Sequence, residues 1–104
     1  DLDKAEKMSE TAIKAEPDNA TYIDTYAWVL FKKGDYENAL KYQQQAIEKI
    51  GDDLSADVLE HMGDIYFKCN EPQKAIEYWE QALKLDSENE LLQRKVKQKN
   101  YFEK

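Results

Sequence analysis

Two small-residue landmarks return along this chain at nearly the same interval, and that recurrence restricts the fold more than any other feature. Ala12-Ile13-Lys14, Ala46-Ile47-Glu48 and Ala82-Leu83-Lys84 are three copies of one phrase, and seven residues before each stands another alanine, at Ala5, Ala39 and Ala75. The intervals are 34 and then 36 residues. A period of this size marks a stacked array, in which each unit buries its apolar face only against its neighbours. Small side chains at matched positions let helix backbones approach closely, and larger residues between them fill the grooves.

The units are helical. Gly34, Gly51, Gly63, Pro17 and Pro72 are the only glycines and prolines, so long stretches are free of helix breakers. Apolar residues recur at three- and four-residue spacing, as in Ile23, Tyr26, Ala27, Leu30 and in Leu59, Met62, Gly63, Tyr66, and no alternation of period two competes with it. Gly34 suits a left-handed helix end, Asp35 an N-cap, Asn70 the end of one helix and Pro72 the first turn of the next. Ser87-x-x-Glu90 reads as a capping box. Helices are therefore predicted at 2–15, 20–33, 36–50, 56–69, 72–85 and 88–102.

The pattern resembles the tetratricopeptide repeat family, whose helix–turn–helix unit reads W-x2-L-G-x2-Y, then A-x3-F, then P. The last full copy is Leu59-x2-Met62-Gly63-x2-Tyr66, Ala75-x3-Trp79, then Ser87. The middle copy is Ile23-x2-Tyr26-Ala27-x2-Leu30, Gly34-x-Tyr36 in the turn, then Ala39-x3-Gln43, with Gly51 where proline is usual. The first keeps only Ala5, Ala12 and Pro17. The opening tryptophan is missing, and Ser9 and Gln43 replace an aromatic. The resemblance covers about residues 1–87 and implies an all-α, right-handed superhelix of antiparallel helix pairs. About two and a half repeats make one domain: 1–17 as the second helix of a truncated repeat, 20–51 and 56–87 as full repeats, 88–104 as a capping helix. In that last helix Leu91, Leu92 and Val96, with Tyr101 or Phe102, form a narrow apolar stripe. Gln93, Arg94, Lys95, Lys97 and Lys99 are expected on its outer, solvated face.

Composition narrows the function. Twelve aromatics and 41% hydrophobic residues are too many for a disordered acidic tail, although 36% of residues are charged and the net charge is −7. A folded, soluble domain is expected. One cysteine, Cys69, permits no intrachain disulfide. No apolar run approaches a membrane span, and the start, Asp1-Leu2-Asp3-Lys4, lacks a signal peptide's apolar stretch. Opening on aspartate rather than methionine, the chain is expected to be a fragment or a processed form. Residues 91–104 sum to +4 and residues 1–90 to −11; the acidic body repels polyanions, so neither nucleic acid nor a membrane is the expected partner.

In the resembling family the first helices of successive repeats line a concave, peptide-binding side. On helices 20–33 and 56–69 that side is expected to present Asp24, Trp28, Phe31, Asp57, Glu60, His61, Asp64 and Phe67, which share helical faces at spacings of three and four. The carboxylates attract Lys or Arg, and the aromatics add apolar or cation–π contact. Some relatives grip an acidic C-terminal peptide with Lys, Asn and Arg there; the acidic residues in this chain disfavour that ligand. The expected function is a protein–protein interaction scaffold binding a basic, apolar segment. The alternative is a self-assembling module, because Leu2, Ala5, Met8, Ala12 and Ile13 on helix 2–15 are incompletely covered and would meet another copy or an upstream repeat.

No chemistry is expected. His61 with Asp57 and Asp64 offers O, N, O ligands on one face but reads as surface. Cys69 follows Tyr66 and Ile65 and reads as a small buried hydrophobe. Ser9, Ser55 and Ser87 fall at ends or caps, and no phosphate loop or catalytic triad order is present. Neither metal nor cofactor is expected.

Overall fold

The scarcity of helix breakers becomes six α-helices in the computed structural model, which describes residues 1–101: α1 (Leu2–Ala15), α2 (Ala20–Lys33), α3 (Tyr36–Ile50), α4 (Ala56–Lys68), α5 (Pro72–Leu85) and α6 (Glu90–Gln98). No strand occurs among the described residues. The punctuation acts as the sequence suggests. Gly34 sits at φ 89° and ends α2, and the Asp35 side chain caps α3. Asn70 takes φ 64° just beyond α4, and Pro72 opens α5. Ser55 Oγ accepts the Val58 N–H as the cap of α4.

The last helix is shorter than 88–102. Its cap is Asn89, whose Oδ1 accepts the Leu92 N–H at 3.1 Å. Ser87 lies outside the helix, where its carbonyl accepts from Gln93 Nε2 at 2.7 Å. Lys99, at φ 53°, ends the helix, and Phe102 lies outside the described residues. Ser9 is at no end: it is buried in the middle of α1.

The chain divides into two compact units, the first ending at Asp53 and the second beginning at Leu54. In the first, α2 packs on α1 and α3 around Ile23, Ala27, Leu30 and Phe31, which are 4% exposed or less. Each large member contributes roughly 1.5–3 kcal/mol by leaving water. Tyr26 and Tyr42 meet edge to face at 4.8 Å. Lys33 Nζ reaches Asp3 at 2.9 Å and Glu6 at 2.6 Å, clasping α2 to α1. In the second unit α5 packs on α4 and α6, and Tyr66 stacks on Tyr78 at 5.5 Å.

The alanine landmarks sit at the helix contacts. Ala39, Ala46, Ala75 and Ala82 are fully buried. Ala5 and Ala12 are half-buried, because α1 is packed chiefly on one side, by α2. Gly63 marks a still closer approach: a Cβ there would run into the Trp79 ring and lie 3.0 Å from the Ala75 carbonyl oxygen. At the repeat-equivalent positions the first unit carries Ala27 and Gln43. The methyl that one pair places on the first helix is volume the other gives to the indole.

Candidate functional site

The residues expected to face a ligand divide by depth. Asp57 is exposed; Asp24, Trp28, His61 and Phe67 are half-buried; Phe31, Glu60 and Asp64 are buried. In the first unit Trp28 lies flat on Phe31, centroids 4.7 Å apart and planes 10° from parallel. Lys32 Nζ stands 5.2 Å from the Trp28 ring centroid, within cation–π range. Phe31 also meets Tyr36 at 5.5 Å, so it backs the indole rather than facing solvent. Asp24 accepts from Gln43 Nε2 at 2.8 Å, which commits one of its oxygens to a neighbouring helix.

The second unit departs most from the expectation. Glu60 and Asp64, one turn apart on α4, are 0% and 2% exposed. Between them lies Lys95 of α6, 1% exposed, with Nζ 2.6 Å from Glu60 Oε2 and 2.9 Å from Asp64 Oδ1. The lysine assigned to the solvated face of the last helix is thus the polar centre of this unit. Two buried carboxylates on one helix cannot stay ionised without a counter-charge, and Leu92, three residues before Lys95 and fully buried, carries the ammonium to them. Trp79 donates its indole N–H to Asp64 Oδ1 at 3.0 Å, and its ring centroid is 5.7 Å from Lys95 Nζ.

The cluster sets its own electrostatics. Burial, outweighing the attraction and hydrogen bond of Lys95, raises the Asp64 carboxyl to about 6, and Glu60 adds to the rise. The acidic floor read from sequence is therefore partly interior. Of the α4 residues expected to face a ligand, solvent meets the exposed Asp57 and the half-buried His61 and Phe67, and the exposed Lys68 lies on the same helix. Phe67 leans on Trp79 at 5.8 Å.

Gln43, Trp79 and Lys95 complete the arrangement and were not among the expected site residues. Gln43 and Trp79 occupy the same repeat position, each sending an N–H to a carboxylate on the preceding helix. The signal for Gln43 was the polar substitution at an aromatic landmark, and for Trp79 the indole N–H that tryptophan brings to that landmark. For Lys95 it was a lysine in register with Leu92 on an apolar stripe. Cys69 is half-buried at the end of α4. Among the described residues no group of three or more His, Cys, Asp and Glu is placed to hold a metal ion, and no helix is long and apolar enough to cross a membrane.

Residues 20–48 and 56–89 each match a family model described as tetratricopeptide repeat. Similar solved structures agree on the fold. A crystal structure of MamA protein superposes with a TM-score of 0.81 and 21% identity, over 95% of this chain and 53% of that one. That of YrrB, described as a TPR protein with an unusual peptide-binding site, gives 0.80 and 19% over 91% and 48%. The TPR2AB domain of yeast Sti1, in a complex with pHSP90, gives 0.76 and 21% over 94% and 39%. The chain spans about half the length of the MamA and YrrB chains.

Proposed function

The chain belongs to the tetratricopeptide repeat family, and from that premise we propose that it is a protein-interaction scaffold whose α2 face and α4 face each receive a partner segment carrying Lys or Arg beside an apolar residue. The observation that carries this reading is that Trp28 and Asp24 on α2, and Asp57, His61 and Phe67 on α4, reach solvent on the first helix of each pair. Phe31, Glu60 and Asp64 shape those faces from beneath. The indole of Trp28 is braced by Phe31 and already accepts a cation, Lys32, on its ring. A partner's Lys or Arg would compete for the same ring, an interaction of roughly 0.5–2 kcal/mol. The net charge of −7 raises the local concentration of basic partners and disfavours acidic tails. The action is presentation and binding without turnover, with no metal or cofactor.

Titration of a basic-aromatic peptide library against wild type, Trp28→Ala and Asp57→Lys tests the reading. Hits held by the α2 face should weaken about fivefold or more in Trp28→Ala and those held by the α4 face in Asp57→Lys; affinities that ignore both substitutions would end it.

A second reading has its own observation. On α1, Met8 is 66% and Leu2 42% exposed, and Met8, Ser9 and Ala12 line a cavity of about 270 Å³ with Thr21, Tyr22 and Thr25 of α2. Through that face the protein would self-associate, as a homodimer. Sedimentation across a hundredfold concentration range should then show mass rising in wild type and constant in Met8→Lys.

A further inference from the structure

Lys95 is held as a bound ligand is held. Its ammonium is divided between two buried carboxylates of α4 and lies beside the rings of Trp79 and Tyr101, at 5.7 and 5.3 Å. We infer that Glu60, Asp64 and Trp79 form a lysine-reading seat for a helix that carries an apolar residue three positions before a lysine, and that α6, through Leu92 and Lys95, is its resident and displaceable occupant.

The seat is built without α6. Asp64 is fixed by the indole N–H of Trp79, Trp79 is wedged against Gly63 of α4, and Glu60 is one turn from Asp64 on the same helix. The occupant is held by little. Only Leu92 and Lys95 of α6 are buried, and a helix of nine residues does not persist on its own in water. Its departure is not opposed by the full strength of two ion pairs, because both carboxylates and the ammonium regain hydration. The raised Asp64 carboxyl is the mark of a group for which the covered state is costly. A helix from another protein with the Leu92-x-x-Lys95 spacing meets the same apolar site and the same pair of acceptors. It must supply both, since the lysine alone replaces water with partners of similar strength.

This inference rests on the scaffold reading for the α4 face. The probe is a capped peptide with the sequence of residues 87–101, titrated by fluorescence anisotropy against the full chain as wild type, Lys95→Ala, and Leu92→Ala with Lys95→Ala. Both variants should bind it at least tenfold more tightly than wild type, since the resident no longer competes. A peptide with alanine in place of its own Lys95 should not bind. Equal affinity for wild type and variants, or indifference to the peptide lysine, overturns the inference. Because the variants can lose the fold of α4 and α5, amide exchange in the wild type gives a second reading. Amides of α6 should exchange at least tenfold faster than those at the centre of α4, and exchange of both in a single global event also overturns it. Library peptides bound through Trp28 are followed on the same proteins, so failure of the seat and failure of the scaffold reading give different results.

Discussion

At the scale of single residues, the second unit turns on a glycine and an indole. In an exposed helix, alanine in place of glycine stabilises by about 1 kcal/mol. At Gly63 the sign should reverse, because the new methyl would meet the Trp79 ring and the Ala75 carbonyl; overpacking of this kind costs about 1–3 kcal/mol. Urea unfolding of Gly63→Ala should show that loss, and Gly63→Ala with Trp79→Phe should lose less than the two singles summed. Asp64 gives a pH prediction. Its folded carboxyl titrates near 6 against 3.8 for the ordinary group, so between those values the native state holds the extra proton. Stability from this group is therefore fully present below about pH 3.8 and lost as pH rises through about 6, a difference of about 2–3 kcal/mol. Asp3 and Asp18, held below the usual range by Lys33 and Lys49, act in the opposite sense. The quantity to measure is thus wild type minus Asp64→Asn between pH 4 and 7; a flat difference would refute the shift. The sequence disclosed that Glu60 and Asp64 share a helical face, but not that a lysine 31 residues after Asp64 covers them. Charge on a helix face reads as solvated until the partner helix is known.

At the scale of elements, legibility was high wherever backbone chemistry decides. Gly34, Asp35, Asn70 and Pro72 fix ends through φ, a side-chain acceptor or a missing N–H, all local causes, and the α2–α3 and α4–α5 turns follow from them. The sixth helix was misjudged because Ser87 and Asn89 are both competent caps, and Asn89 is the one whose side chain accepts from the helix. That difference is testable. Asn89→Ala removes the side-chain N-cap of a nine-residue helix, a loss of about 1 kcal/mol. Because α6 buries only two side chains, the loss should appear locally, as roughly fivefold faster exchange of its amides with the α4 amides unchanged. Ser55→Ala removes a similar cap from α4, which buries eight residues, and should instead lower the stability of the whole second unit. Equal and global effects from both changes would mean that α6 is not a separate opening unit. The same contrast explains why the repeat was readable and the burial of Lys95 was not: the alanine seats recur, whereas α6 matches no repeat landmark and makes its ion pairs once.

At the scale of the whole molecule, the two readings of function draw on different forces, and salt separates them. The first unit, through Asp53, carries a net −5 and the remainder −2, so a basic peptide is drawn to a chain whose two units are each net acidic. Such attraction decays over a Debye length of about 10 Å at 0.1 M salt and about 3 Å at 1 M. Self-association through Leu2 and Met8 is apolar, and two copies at −7 each repel one another. Raising sodium chloride from roughly 20 to 300 mM, with Debye lengths falling accordingly, should therefore weaken a basic peptide several-fold, mainly through its association rate. The same change should leave self-association unchanged or strengthen it. Trp28→Ala should reduce peptide affinity at both salt concentrations, since ring contact and its apolar area are screened far less than free charges. Peptide binding that is indifferent to salt would remove electrostatic selection from the scaffold reading and leave the aromatic face of α2 as its basis. A mass that falls as salt rises would show instead that copies meet through complementary charge, for which the surface of α1 offers Lys4, Lys7 and Lys14 against Asp3, Glu6 and Glu10.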